Sequence, residues 1–486
     1  MRSEASAGQR LPGWVWGCAL LAVAIRAGVA ATTHFTNEDF FITLRYARNI
    51  GGGLGFCYNP GERYLGTTTP LYALFLGLAV WLGLPAAACG KAANVLADGL
   101  LCIVIYRWLT KLGYERAGRI AALLLAVDPL QIRWSISGME TSIATLLCAT
   151  AFLLYSERRT TLLFVDLGFL FLVRWDSLLL TGVLLGCVVL RDRRVPVRGL
   201  LAFVAIAAPW TLFAASYFGS PIPGTMAAKA TVYGWRFQGR ILPGAPKLLY
   251  RIYGTPGYAA LAALAAAGLI RAIRCRMAGM APAVAWAALY WAAFLISKNL
   301  LFEWYLVPPA TVYLALVALA LDGTASRAPA LSARPVWLAA PVAALAAGGF
   351  GIAYAACRES QQIEESSDMV IGKWLSRNTE ADDVVMLEPI GYAGYYSGRR
   401  ILDPVGLVTP YVLTAYRRDN PAPFLTIART YRPAWCVLRP GELSRITRAA
   451  AATGRPWERD YEPVKTWIFF PARREGPIVY SVFRRR

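Results

Sequence analysis

The sequence predicts a polytopic α-helical membrane protein, with about eleven transmembrane helices plus juxtamembrane helices and a small α/β soluble domain at its C-terminal end. Three observations carry this. Of the 486 residues, 57% are hydrophobic and only 16% charged, against about 25% charged in an ordinary soluble domain. Mean hydropathy is +0.44. Long apolar runs recur from Leu11 to Ala356, and after Cys357 they give way to charges, prolines and short alternating segments. Residues 1–356 therefore read as the membrane domain, with a first extracytoplasmic loop over 33–89, and residues 357–486 as a soluble domain of about 130 residues.

The first apolar run, 11–31, follows Arg2 and Arg10 and is longer than the apolar core of a cleavable signal. It reads as a span with a cytoplasmic N-terminus. Basic clusters then recur at Lys111/Arg116/Arg119, Arg158/Arg159, Arg191/Arg193/Arg194/Arg198, Arg271/Arg274/Arg276 and Arg327/Arg334. All five fall in the cytoplasm, as the positive-inside rule requires, only if the apolar segment 70–84 begins and ends on the outer side. A crossing there would add a twelfth span and put Lys111, Arg116 and Arg119 outside. The soluble domain then lies outside the cytoplasm, on a multi-pass plasma-membrane protein. Within it, 360–377 reads as a polar helix, and 383–388, 400–403 and 435–438 as strands.

Several function classes fall away. The formal charge of +21 lies in short loops and in the tail rather than on one aromatic-laced face, which excludes a nucleic-acid surface. Nine cysteines form no CxxC pair, and His34 is the only histidine. Histidine-rich metal sites and Ser-His-Asp hydrolysis are thereby excluded.

The topology sorts the polar residues by side. Glu38/Asp39, Glu140, Arg174/Asp176, Lys229 and the stretch 298–305 fall at the outer surface, where charges near membrane depth are costly and therefore functional candidates. Phe41, Leu44 and Ala47 recur at helical spacing, an interfacial amphipathic helix that Asn37 can cap, with Glu38 and Asp39 in its first turn. Those carboxylates can be simple first-turn charges. They also precede an irregular loop (Gly51-Gly52-Gly53, Asn59-Pro60-Gly61-Glu62, Thr67-Thr68-Thr69-Pro70) that folds back over the helix. Ser137 and Glu140 fit a capping box before the next apolar helix. Lys229 can be a snorkelling lysine, and Trp304 an aromatic-belt residue. Asp98 and Asp166 sit in apolar runs with no evident partner.

The run from Glu38-Asp39-Phe40-Phe41-Ile42-Thr43-Leu44-Arg45-Tyr46-Ala47 to Arg48-Asn49, then Tyr58-Asn59-Pro60-Gly61-Glu62 and Thr68-Thr69-Pro70-Leu71-Tyr72, resembles the start of the GT-C-type membrane glycosyltransferases. The branch it is most similar to holds the mycobacterial terminal arabinofuranosyltransferase and its bacterial relatives. There the pattern reads D-D-A-[FY]-I-[ST]-x-R-Y-A-x-N, N-P-G-E and T-[ST]-P-L-W. The resemblance continues at Ser137-Gly138-Met139-Glu140-Thr141, at Pro223-Gly224-Thr225 to Lys229 (P-N-T-x-x-A-K in the family), and at Leu387 to Gly391, Gly394 to Gly398 and Asp403 to Thr409. Two departures stand out. Glu38 replaces the first Asp, and Arg174-Trp175-Asp176 replaces R-P-[DE].

The resemblance implies a polyprenyl-phosphate sugar donor, a glycan, lipid or protein acceptor, and inverting transfer. A phosphate leaving group needs no general acid, only neutralisation as its charge grows. The acceptor hydroxyl needs a base, for which Asp39, Glu38 and Glu140 are the catalytic candidates. Lys229, Arg45, Lys298, Tyr305, Arg174 and Asp176 are the donor-site candidates. The residues fix no cofactor, and a divalent metal (Mg, Mn or Ca) between Glu140 and the first-loop acids is compatible with them. The rival classes are a lipid or sugar transporter (flippase), which would favour internal repeats, and a non-catalytic scaffold.

Overall fold

The structure, a computed structural model, describes residues 11–237, 256–297, 302–327, 336–416, 420–471 and 476–486. Among the described residues four helices are long and apolar enough to cross a membrane: Gly13–Thr33, Ala86–Lys111, Val197–Phe218 and Glu303–Gly323. Shorter apolar helices pack among them.

Contacts along the first two long helices fix which ends lie together. Near the start of Gly13–Thr33, Trp14 meets Tyr106 edge-on at 5.0 Å, and the Arg119 guanidinium lies 5.4 Å from the Trp14 ring. At the opposite end Lys91 donates to the Phe35 carbonyl at 2.6 Å. The two helices are thus antiparallel, and Pro70–Trp81 begins and ends at the Phe35 end. Twelve residues rise only about 18 Å, too little for a hydrocarbon core of about 30 Å. This helix of the first apolar segment after the loop is therefore shorter than a straight span. Its Leu78, Trp81, Leu82 and Leu84 are exposed.

The Trp14 end also collects the basic loops. Arg107 pairs with Glu157 at 3.3 Å. Arg191 donates to the Tyr155 carbonyl at 2.9 Å. The Arg271 guanidinium lies 5.5 Å from the Tyr114 ring. Four of the five basic clusters so share one end; of the fifth, Arg334 lies outside the described residues.

Asp98, expected to stand alone, has a partner. Arg26 Nε donates to Asp98 Oδ2 at 2.6 Å, and its other nitrogens reach the carbonyls of Ala22, Leu125 and Ala126. A buried arginine one helix away, 72 residues earlier, could not be matched from local spacing. Asp166 is buried in Thr160–Val173, and its Oδ2 has no hydrogen-bond partner.

The helix Val336–Ser366 runs without a break through position 357. The polar helix expected over 360–377 is the end of this helix plus a second one, Asp368–Asn378, separated at Ser367, whose ψ of −80° leaves the helical range. Beyond it the described residues hold five strands, β1 (Val384–Met386), β2 (Arg400–Leu402), β3 (Trp435–Leu438), β4 (Tyr461–Phe469) and β5 (Ile478–Arg485), in the order β2-β1-β3-β5-β4. The three expected strands pair in parallel; the β4–β5 hairpin adds antiparallel to β3. The whole packs on the first loop, with Tyr46, Tyr58, Leu65, Val385, Ile390 and Val408 in one apolar cluster.

Candidate active site

The helix α1 (Glu38–Gly51) organises the site by presenting three faces. Asn37 caps it, accepting the Asp39 N–H at 2.9 Å. Successive residues are turned by about 100°, so adjacent Glu38 and Asp39 cannot point the same way. Phe40, Leu44 and Ala47 pack against Tyr72, Leu76 and Ala79.

A second face meets the soluble domain. Glu38 Oε1 accepts the Gly391 N–H, and the Phe41 ring sits 3.9 Å from that of Tyr392. Arg45 is buried. Its guanidinium donates to the carbonyls of Tyr58 (2.9 Å), Gly394 (2.6 Å) and Arg399 (2.5 Å) and to Asn59 Oδ1 (3.2 Å), and it lies over the Tyr58 ring at 4.2 Å. Expected at the donor, Arg45 is instead a clamp saturated by carbonyls, and it does not line the cavity described next. Glu38 does not line it either. Burial, then the carboxylates of Asp39, Glu364 and Asp368, push Glu38 well above the usual carboxylate range.

The third face, Asp39, Ile42 and Thr43, borders a cavity of about 410 Å³. Around it stand Thr67, Thr69, Glu140, Arg174, Asp176, Thr225, Lys229, Trp304, Tyr305 and Leu407. Residues far apart in the chain, from the first loop to the soluble domain, therefore converge on one chamber.

Arg174 is its best-defined cation. It binds Asp176 through two bonds of 3.0 and 2.9 Å, lies 3.6 Å from Glu140 Oε1 and sits 5.2 Å from the Tyr305 ring. Tyr290 donates to Asp176 Oδ2 at 3.3 Å. Sequence reasoning missed Tyr290, which lies mid-helix among apolar residues and gives no local signal. It also missed Thr225, whose place in the Pro223-to-Lys229 motif was the available clue.

Glu140 is free to face Arg174 because it does not cap its helix reciprocally. The expected capping box is absent. Ser137 Oγ donates to the Trp134 carbonyl, and the first N–H groups of the helix Thr141–Ser156, at Ser142 and Ile143, donate instead to Asn94 Oδ1 at 3.2 and 3.3 Å. Burial pushes Glu140 up, against the pull of Arg174. Trp304, expected in an interfacial belt, is 9% exposed and packs on Trp134 and Phe302. The Lys229 ammonium lies 5.3 Å from the Phe302 ring. Lys298 lies outside the described residues.

Of the acids considered for a divalent cation, Asp39 and Glu140 border the cavity. Among the described residues no three His, Cys, Asp or Glu side chains gather for one. Glu140 and Asp176 face an arginine, and Glu38 is turned to Gly391.

A family model described as a domain of unknown function (DUF8728) matches residues 353–483. No curated protein matches the chain. Solved structures do. ArnT from Cupriavidus metallidurans, bound to undecaprenyl phosphate, superposes with a TM-score of 0.61 at 16% identity, over 96% of this chain and 98% of that one. The Archaeoglobus fulgidus oligosaccharyltransferase, in complex with zinc and sulfate, gives 0.60 at 13% identity, over 96% of this chain and 72% of that one. The archaeal oligosaccharyltransferase AglB from the same organism, with an inhibitory peptide and a dolichol-phosphate, gives 0.60 at 13%, over 96% and 74%. The chain has the fold of the GT-C-type membrane glycosyltransferases.

Proposed function

We propose that this GT-C-fold protein is an inverting glycosyltransferase that moves a sugar from a polyprenyl-phosphate donor to an extracytoplasmic acceptor, with Asp39 as general base. The observation that carries the reading is the placement of Asp39, and not Glu38, on one cavity with Arg174 and Lys229. That the neighbours hold undecaprenyl phosphate and a dolichol-phosphate supports the donor class. The first-loop pattern supports arabinofuranose as the sugar.

The chemistry is a single displacement. Asp39 takes the proton of the acceptor hydroxyl, whose oxygen attacks the anomeric carbon. The carbon–oxygen bond to phosphate breaks, and its electron pair stays on the phosphate. Lys229 and Arg174 offset that charge. Glu140, Asp176 and Tyr290 hold Arg174 in place, so the cation is set before the donor arrives. The positive-inside rule puts the cluster of basic loops in the cytoplasm and the cavity on the outer side, with about eleven spans between them.

The test is incubation of purified protein with a panel of polyprenyl-phosphate sugars and glycan acceptors, reading product linkage by NMR. Transfer with inverted anomeric configuration is the expected result. No transfer from any donor, with movement of the same donors across proteoliposomes, would replace the reading with a flippase.

A further inference from the structure

The helix that carries Lys229, Gly224–Phe237, starts at the cavity wall. Its first turn is pinned there: the Gly224 N–H donates to the Leu65 carbonyl at 2.9 Å. A Cβ at position 224 would stand 1.8 Å from Tyr64 Oη, so the turn presses closely on the first loop and a side chain there would need the Tyr64 ring to move.

The next residue is the unusual one. Thr225 is 7% exposed, borders the cavity, and its Oγ1 has no hydrogen-bond partner. A threonine at a helix start commonly satisfies its hydroxyl on the helix's own N–H groups; this one does not. A buried hydroxyl without a partner costs about 1–3 kcal/mol, which a ligand would recover. Lys229 follows four residues later, on the same face of the helix, and borders the same cavity.

Charge balance sharpens the point. Among the described residues lining the cavity, Asp39, Glu140 and Asp176 outnumber Arg174 and Lys229 by one. An anion entering such a chamber gains from donors that carry no countercharge, which is what a hydroxyl and a helix N-terminus supply.

We propose that the first turn of this helix is the seat of the donor phosphate, with Thr225 Oγ1 donating to a phosphate oxygen and Lys229 one turn on pairing with it. This rests on the transferase reading for the identity of the ligand. The seat favours the leaving lipid phosphate over the donor, because the monoester formed by bond cleavage carries more charge than the diester.

The experiment measures binding of farnesyl phosphate, inorganic phosphate and farnesol to the purified full chain by calorimetry in detergent. Thr225→Val keeps the shape and deletes the donor; Thr225→Ser keeps the donor; Thr225→Asp puts a carboxylate at the seat, where it repels phosphate. Farnesyl phosphate should bind about tenfold more weakly to Thr225→Val, within about twofold of wild type to Thr225→Ser, and not measurably to folded Thr225→Asp. Weak inorganic phosphate binding with the same dependence, and none of farnesol, is expected. Unchanged farnesyl phosphate affinity in both Thr225→Val and Thr225→Asp overturns the seat, whatever the transfer activity. Free phosphate binding as tightly as the lipid overturns its assignment to the donor. Hydroxyl-dependent binding in a protein that transfers no sugar upholds the seat and sinks only the transferase reading.

Discussion

Glu38 and Asp39 are neighbours of one chemical type, and replacing each should give opposite results. Asp39→Asn keeps size and polarity but cannot accept the acceptor proton. Asn37 caps the main-chain N–H of residue 39, so the cap survives the substitution. Transfer should fall about 10²- to 10⁴-fold, the range for a lost general base, or about 3–5 kcal/mol at 1.36 kcal/mol per decade, with Tm unmoved. Glu38→Gln retains an oxygen for the Gly391 N–H and should keep transfer within about threefold. Glu38→Ala strands that N–H at a covered interface, a cost of about 1–3 kcal/mol, read as a lower Tm. The assay is initial rate with a polyprenyl-phosphate sugar beside a melting curve for each variant. Near-normal transfer by Asp39→Asn, together with a large loss in Glu38→Gln at unchanged Tm, would refute the assignment of faces on this helix.

Arg45→Met should destabilise the joint between the first loop and the soluble domain by about 3–5 kcal/mol, since it strands carbonyls at buried positions; limited proteolysis should then release a fragment near residue 357 sooner than in wild type. Arg26→Met should lower Tm sharply by leaving Asp98 unpaired at membrane depth, and Asp98→Leu in the same chain should restore most of the loss, as a double-mutant cycle would show. Asp403, buried in the soluble domain, is pushed up to about 6 by burial. Its folded value exceeds the unfolded value of about 3.9, so the folded state binds the proton more tightly. The stability this group contributes is complete below about pH 4 and lost as pH rises through about 6. Thermal melts from pH 4 to 7 should therefore fall in wild type and flatten in Asp403→Asn; parallel curves would discard the shift.

Much of this arrangement was legible in the sequence. Apolar runs and basic loops gave the membrane domain and the grouping of basic ends, because both follow from the cost of charge in lipid. Asp39, Glu140, Arg174, Asp176, Lys229 and Tyr305 were readable as polar residues at span ends on one side. The separation of Glu38 and Arg45 from Asp39 was within reach: seven residues bring Arg45 back to the Glu38 face of a 3.6-residue helix, and one residue turns Asp39 away. What no local pattern disclosed was pairing across the chain. Arg26 with Asp98, Tyr290 with Asp176 and Asn94 with the start of Thr141–Ser156 depend on which helices become neighbours. The β4–β5 hairpin escaped because β4 is largely exposed on both faces and β5, though half-buried, lacks clean alternation.

The three-faced helix also sets what kind of sequence change the protein can survive. Substitution at any one position disturbs a single face. Inserting one residue between Asp39 and Arg45 would rotate everything beyond it by about 100°, so the clamp, the cavity wall and the packing seam would lose register together. Drift by replacement is open to positions of this segment other than Asp39 and Arg45, while a change in its length is closed. Among homologues, the spacing from Asp39 to Arg45 should prove more constant than the identity of the acid at position 38.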